Sequence, residues 1–150
     1  MTVKKIISGG QTGVDRAALD AAIVKEIEHG GFCSKNRMAE DGRIAIYYQL
    51  TETDETDSAV RTKKNIEESD GTLIISYFPL KGGTQLTADI CREINKPVFL
   101  LNVKKYKLPS LYRWIEENNI GVLNIAGPSE NESSLYKKSR KIIEQFLSKK

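Results

Sequence analysis

Short runs of β-branched and aliphatic residues alternate along the chain with segments of helical spacing, and this alternation constrains the fold more than any other feature. Buried strands are predicted at residues 3–7, 72–75, 97–101 and 122–125, and a weaker one at residues 27–30. Strands that alternate with helices pair in parallel, and their crossover helices cover both faces of the sheet. The sequence therefore predicts a doubly wound α/β fold with a mainly parallel sheet, as a single three-layer domain over residues 1–150.

Five helices are expected between and after these strands. The first, over residues 14–25, is rich in alanine, which allows a helix to lie close to a sheet. The second, over residues 57–68, has Asp57 or Ser58 as its N-cap. The buried faces of the other three are marked by Leu86, Ile90 and Ile94, by Leu108, Leu111, Tyr112 and Ile115, and by Leu135, Ser139, Ile142, Ile143 and Phe146.

Charge and cysteine content exclude several classes of protein. The 150 residues include 23 Lys and Arg and 20 Asp and Glu, and a net charge of +3 does not indicate the concentrated basic face of a nucleic-acid binder. The apolar runs are too short to cross a membrane. Cys33 and Cys91 form no CxxC pair and have no histidines nearby, so neither a disulfide scaffold nor a metal site is expected. Without a signal peptide, the chain is expected to be cytoplasmic.

A glycine-rich segment, residues 8–16 (Ser-Gly-Gly-Gln-Thr-Gly-Val-Asp-Arg), follows the first strand and opens the first helix; we call it the first turn. Unpaired amides and a positive helix dipole at such a place suit a phosphate or another anion. The spacing matches neither GxGxxG nor a P-loop, so neither NAD nor ATP chemistry is supported. Ligand binding is favoured over a simple tight turn. Its candidate binding residues are Gly9, Gly10, Gln11, Thr12, Gly13, Asp15 and Arg16.

Residues 79–87, the second turn, repeat this design after the strand at residues 72–75. Because the carboxyl ends of parallel strands meet at one edge of a sheet, both turns are expected to face the same ligand. A third edge loop follows the strand at residues 122–125. The candidate binding residues from these two loops are Lys81, Gly82, Gly83, Thr84 and Asn124.

Residues 31–56 show no sustained period of 2 or 3.6, and a long irregular loop in a compact domain is usually functional or mobile. Lys35 and Arg37 are expected to neutralise an anion there, and Glu40 and Asp41 to pair with cations or accept hydrogen bonds from a ligand. On the helix that follows, Arg61 and Asn65 share one face, which points either to the site or to solvent.

These segments together resemble the family of molybdenum cofactor carrier proteins, a circularly permuted branch of the Rossmann-like SLOG, or lysine-decarboxylase-like, nucleotide-binding superfamily. The resemblance spans nearly the whole chain. The matching residues are Ile7 to Asp20, His29-Gly30-Gly31, Ala39 to Gly42, Arg61-Thr62 with Asn65, Ser69 to Ile74, Gly82-Gly83-Thr84 with Leu86-Thr87, and Leu123 to Pro128.

The resemblance implies a Rossmann-like domain that forms a homo-oligomer, a dimer or a tetramer, and binds molybdenum cofactor, a phosphorylated pterin with dithiolene-held molybdenum. The edge loops suit its phosphate or oxo groups, and Glu40 or Asp41 its ring N–H groups. A nucleotide or another phosphorylated small molecule is the alternative ligand.

Two other functions stay open. Related hydrolases cleave nucleoside monophosphates with a Pro-Gly-Gly-x-Gly-Thr-x-x-Glu motif, and Thr87 stands here at the position of its glutamate, so a binding protein is favoured over an enzyme. An enzyme would have to use Asp15 or Glu40. A nucleotide-sensing domain that controls a partner protein is the third possibility.

Overall fold

The computed structural model describes residues 2–148 and contains strands and helices in alternation, as the sequence predicts. In chain order they are β1 (Lys5–Ile7), α1 (Val14–Val24), β2 (Glu28–Gly30), β3 (Phe32–Cys33), β4 (Met38–Ala39), β5 (Gly42–Arg43), β6 (Thr51–Glu52), α2 (Ser58–Glu67), β7 (Gly71–Ser76), α3 (Gly82–Glu93), β8 (Val98–Asn102), α4 (Leu108–Glu117), β9 (Val122–Ala126) and α5 (Tyr136–Leu147). A short 3-10 helix (Lys35–Arg37) precedes β4.

The central sheet has the order β2-β1-β9-β7-β8, and every neighbouring pair in it is parallel. All six residues of β7 are buried, which is typical of a strand covered by helices on both faces. The predicted parallel α/β fold is therefore confirmed, including the weak strand β2.

The helices cover the two faces of the sheet unequally. Side chains of α1, α4 and α5 form one large apolar cluster with the sheet, whereas α2 and α3 contribute to a smaller one around Ile66 and Cys91. The connection β1-α1-β2 runs toward one edge and β7-α3-β8 toward the other, which places α1 and α3 on opposite faces because crossovers share one hand. Such a fold leaves a crevice where the two connections diverge. Among residues 2–148, no helix is long and apolar enough to cross a membrane.

Small residues set the distance between α1 and the sheet. Ala17, Ala18, Ala21 and Ala22 are fully buried, as the alanine-rich pattern predicts. Leu86 is the exception among the predicted apolar faces: it is 40% exposed, because it lies on the open side of α3.

Residues 31–56 fold around a buried arginine. They contain two small sheets, parallel β3-β6 and antiparallel β4-β5. The Arg37 guanidinium is 9% exposed and donates hydrogen bonds of 2.7 to 3.3 Å to four backbone carbonyls. A buried charge of this kind is compensated by its hydrogen bonds, so Arg37 organises the segment from inside. The carbonyls belong to Ile44, Ala45, Tyr48 and Leu50.

Candidate functional site

A cleft opens at the carboxyl edge of the sheet, between the first turn, the second turn and one side of α2. The structure brings seven of the predicted binding residues to its walls, from four different segments of the chain. They are Gly9, Gln11, Asp15, Glu40, Gly83, Thr84 and Asn124.

The other predicted residues lie around this cleft. Thr12, Gly13, Arg16 and Asp41 line a neighbouring hollow that shares Glu40 with the cleft. Lys81 lines a groove on the opposite side, which shares Thr84 with the cleft. Gly10 is buried beneath the first turn against Leu50 and Ile44, Gly82 is exposed at the start of α3, Lys35 is exposed on the 3-10 helix, and Arg37 is inside the segment of residues 31–56.

The polar groups of the first turn bond mainly to the protein itself. Gln11 Oε1 accepts hydrogen bonds from the amides of Thr12 (3.0 Å) and Glu40 (2.8 Å). The Thr12 hydroxyl donates to Glu40 Oε1 at 2.6 Å and accepts from the Glu130 amide at 3.0 Å. The turn is thereby joined to two distant loops.

The start of α1 is closed by the loop that follows β9. The Val14 amide donates to the carbonyl of Pro128 at 3.3 Å. Gly13 has a φ of 82°, and a β-carbon on it would lie 2.5 Å from that same carbonyl oxygen. The positive φ and the close backbone contact both require glycine here.

The charge of Arg16 is also neutralised within the protein. Its guanidinium forms a two-pronged ion pair with Asp41, at 2.9 and 3.2 Å, and donates to the Gly10 carbonyl at 3.0 and 3.2 Å. It also lies 5.5 Å from the centre of the Tyr48 ring. The hydrogen bond from Arg16 lowers the pKa of Asp41.

Glu40 forms the wall between the cleft and the hollow. Desolvation alone would raise its pKa, but hydrogen bonds from the Thr12 hydroxyl and the Asn131 amide, 3.3 Å away, hold that pKa below its ordinary value. The carboxylate is therefore ionised at neutral pH and accepts hydrogen bonds.

The second turn differs because two of its amides, those of Gly82 and Gly83, are free among residues 2–148. Lys81 occupies the N-cap position of α3 without a side-chain cap, and its carbonyl accepts from the amides of Thr84 and Gln85, both at 3.1 Å. Within residues 2–148, no acceptor engages the amides of Gly82 and Gly83. These N–H groups, at the positive end of a 12-residue helix, are available to an anion.

A buried hydroxyl without a partner faces the same place. Thr84 is 5% exposed, and its Oγ1 makes no hydrogen bond to any described residue. The hydroxyl of Ser129 is also buried, but it lies beside Glu40 and helps to lower the pKa of that carboxyl. Buried polar groups are nearly always satisfied, so the Thr84 hydroxyl is available to a group that enters the cleft.

Arg61 supplies positive charge to the cleft. Its Nη1 lies 3.7 Å from Asp15 Oδ2, and the two side chains are 13% and 6% exposed. No other described residue forms a hydrogen bond or ion pair with this guanidinium, which leaves most of its N–H donors free. A β-carbon on Gly9 would lie 2.1 Å from Nη1, so Gly9 makes room for the arginine.

For Asp15, the cost of burying the carboxylate exceeds the stabilisation that its neighbours provide. Burial raises the pKa of its carboxyl, although Arg61 and the Gln11 amide, 3.4 Å away, oppose the shift. Asp15 thus lies at the base of the cleft, behind Arg61.

The sequence places Arg61 and Asn65 on one helical face, but nothing in its pattern singles out Arg61 as a binding residue. Asn65 has a structural role, since its amide pairs with the backbone N–H and carbonyl of Phe32 at 2.8 and 3.0 Å. The shared face is the feature of the sequence that points to Arg61. The structure shows that this face turns to the cleft, because Arg61 lies against Gly9 and lines the cleft.

Two further residues limit the chemistry of the cleft. The Thr87 hydroxyl donates to the Gly83 carbonyl at 2.8 Å, within α3. The Asn124 amide donates to the Thr72 hydroxyl at 3.2 Å, below the cleft floor. The cleft therefore offers donors to an anion near α3 and ionised or desolvated carboxylates at Glu40 and Asp15.

In residues 2–148, no group of three His, Cys, Asp or Glu side chains is placed to hold a metal ion.

Comparisons with known proteins agree with this architecture. Residues 6–147 match the "Circularly permutated YpsA SLOG family", and the chain belongs to that family. It is also similar to a crystal structure from Syntrophus aciditrophicus SB, named "Putative molybdenum carrier protein", with a TM-score of 0.93 and 42% sequence identity over 98% of this chain and 96% of that one. No match was found among curated proteins.

Proposed function

We propose that this member of the circularly permutated YpsA SLOG family is a carrier that holds molybdenum cofactor by its phosphate at the start of α3. The observation that carries the proposal is the buried, unpartnered hydroxyl of Thr84 beside free helix amides and Arg61. The name of the similar protein from Syntrophus aciditrophicus supports molybdenum as part of the cargo.

Each part of the cleft has a role in this proposal. The Gly83 amide and the Thr84 hydroxyl donate to phosphate oxygens, and Arg61 supplies a positive charge that is already largely desolvated. Glu40, ionised at the opposite wall, accepts hydrogen bonds from the N–H groups of a pterin ring. The cargo is thus held at both ends by groups of opposite charge.

The test is equilibrium binding of purified cofactor under anaerobic conditions. Gly83 has open space around it, so Gly83→Asp adds a negative charge at the anion position without a clash. We expect this variant to lose about 100-fold in affinity, because a carboxylate repels the phosphate and occupies the helix amides. Gly83→Asn, which has the same shape without the charge, is the matched control.

The carrier proposal fails if the wild-type protein binds cofactor no better than simple nucleotides and Gly83→Asp changes nothing. It also fails if Gly83→Asn and Gly83→Asp lose affinity equally, because the site would then be sensitive to shape and not to charge.

One observation favours a second function, the cleavage of nucleoside monophosphates: Asp15 is a desolvated acid with a raised pKa in the wall of a cleft. Incubation with a panel of nucleoside monophosphates, followed by chromatography for released base, tests it. Turnover that Asp15→Asn or Glu40→Gln abolishes would establish the enzyme. If there is no turnover, or if neither substitution changes it, cleavage of nucleoside monophosphates is ruled out and the carrier proposal stands.

A further inference from the structure

We infer that Glu132 makes the anion position selective for oxyanions that carry or readily take up a proton, so that it prefers phosphate and phosphate monoesters to free molybdate and sulfate. The inference rests on the proposed function, because it concerns the same position at the start of α3. It adds the chemical class of the anion.

Glu132 places a carboxylate at the mouth of the cleft. The residue lies in the loop between β9 and α5, and its amide donates to the Ser129 carbonyl at 3.1 Å. Its carboxylate oxygens lie 3.6 and 3.8 Å from the point where a β-carbon on Gly82 would stand. Glu132 also lines the cleft together with Gly83 and Thr84.

This carboxylate has no partner of its own. Within residues 2–148, it makes no hydrogen bond and no ion pair. The positive end of α3 attracts a negative group to this position, and the chain itself supplies one. Because Glu132 lines the cleft together with Gly83 and Thr84 and approaches Gly82, its carboxylate is within reach of an anion that binds at the start of α3.

The neighbouring carboxylate distinguishes between oxyanions because it can only accept hydrogen bonds. Monohydrogen phosphate and a singly charged phosphate monoester carry a P–OH group, which can donate to Glu132. Inorganic phosphate keeps a P–OH group at pH 7, and a phosphate ester, whose last pKa is about 6, can take up this proton on binding at a cost of about tenfold in affinity. Sulfate and molybdate are fully deprotonated at that pH, so they would place an unprotonated oxygen against a carboxylate.

The donors of the cleft do not provide this selectivity. Gly83, Thr84 and Arg61 offer N–H and O–H groups that serve any tetrahedral oxyanion equally. Discrimination requires an acceptor, and Glu132 is the carboxylate nearest to the start of α3 among those that line the cleft.

The experiment is calorimetric titration of the wild-type protein with inorganic phosphate, sulfate and molybdate at pH 7, repeated with Glu132→Gln and Glu130→Gln. Glu130 lies two residues away in the same loop, but its carboxylate accepts from the Ser134 hydroxyl at 2.7 Å. Glu130→Gln therefore removes the same charge from the same loop away from α3, and it is the matched control.

We expect the wild-type protein to bind phosphate about tenfold more tightly than sulfate or molybdate. This preference is modest for a hydrogen bond to a ligand O–H, because Glu132 is exposed and water competes for its carboxylate. Glu132→Gln should bring the three affinities within about twofold, mainly through tighter binding of sulfate and molybdate. Glu130→Gln should keep the preference of the wild type.

An unchanged preference in Glu132→Gln would overturn the inference, and so would a wild-type protein that binds sulfate or molybdate as tightly as phosphate. Equal effects of Glu132→Gln and Glu130→Gln would overturn it too, because they would show a general charge effect of the loop. The cofactor titration with Gly83→Asp is independent of these ratios. If cofactor binds but the ratios do not change, only the selectivity assigned to Glu132 is lost.

Discussion

The two glycine-rich turns look alike in sequence and differ in what they leave free. Both follow a central parallel strand, and both open a helix with a Gly-Gly pair nearby. In the first turn, protein groups engage the amides of Thr12 and Val14 and the side chains of Gln11 and Arg16. In the second turn, the amides of Gly82 and Gly83 and the Thr84 hydroxyl have no partner among residues 2–148. Glycine allows close packing of the backbone in the first turn, and in the second it leaves the helix amides accessible from the cleft.

The physical reason lies in the neighbours of each turn. The first turn lies between the loop at Glu40 and the loop at Pro128, and both provide hydrogen-bonding groups. The second turn faces the open cleft, and a β-carbon on Gly83 would meet nothing within 4 Å. Of the two glycine-rich turns, the second is therefore the one that the rest of the chain leaves open to a ligand.

The largest expected difference between the two turns is in the effect of a glycine-to-alanine substitution on the free energy of unfolding. Gly13→Ala should lower the free energy of unfolding by about 3 kcal/mol, because alanine is strained at this positive φ and collides with the Pro128 carbonyl. Gly83→Ala should raise it by about 0.5 kcal/mol, since alanine is the better helix former in open space. Urea denaturation measures both. Equal losses would show that the second turn is as tightly packed as the first.

A hydroxyl deletion in each turn has a smaller effect and separates binding from stability. Thr84→Val should weaken cofactor binding about tenfold while stability rises slightly, because an unsatisfied buried hydroxyl is removed. Thr12→Val should lower the free energy of unfolding by about 1 kcal/mol and change affinity less than twofold, because its hydroxyl bonds only to protein groups.

Calorimetric titration and urea denaturation on the same two variants provide the check. If Thr12→Val weakened binding as much as Thr84→Val, the distinction between a filled and an open turn would be wrong.

The smallest expected effect is on pH dependence. Because the folded pKa of Glu40 is lowered, its stabilising contribution is present above pH 4.5 and is lost as the pH falls through the folded pKa. Glu40→Gln should therefore reduce the loss of stability between pH 7 and pH 3 by about 0.5 kcal/mol, a modest value for an exposed carboxylate.

Denaturation at several pH values tests this, with Glu116→Gln on α4 as a control far from both turns. An acid-induced loss in Glu40→Gln as large as that of the wild type would mean that the hydrogen bonds to Glu40 do not stabilise the first turn.

The sequence predicts the central sheet well and the segment of residues 31–56 poorly. Strands β7, β8 and β9 lie within one residue of their predicted bounds, because buried parallel strands are continuous apolar runs. The two-residue strands at residues 32–52 leave no period to detect, and the buried charge of Arg37 that holds them is indistinguishable in sequence from a charge offered to a ligand.

The location of the cleft can be predicted from the sequence, but the pairing of its charged side chains cannot. The carboxyl ends of parallel strands share one edge of a sheet, so the sequence predicts Gly83, Thr84 and Asn124 near one another, and all three line the cleft. Whether Arg16 or Arg61 meets a ligand depends on which one finds a close carboxylate. Arg16 has Asp41 at 2.9 Å, whereas Arg61 has Asp15 only at 3.7 Å.

The position of β9 has a consequence for how the protein is made. Among the strands of residues 2–148 this one is synthesised last, yet it pairs with both β1 and β7 at the centre of the sheet. Residues 128–130, which close the first turn, follow β9 directly. Until residues 122–130 have been synthesised, the two halves of the sheet have no strand between them, and non-local pairing of this kind forms late. A nascent chain therefore completes its cleft only after residues 122–130 have left the ribosome, because Asn124 and Ser129 are part of the cleft lining.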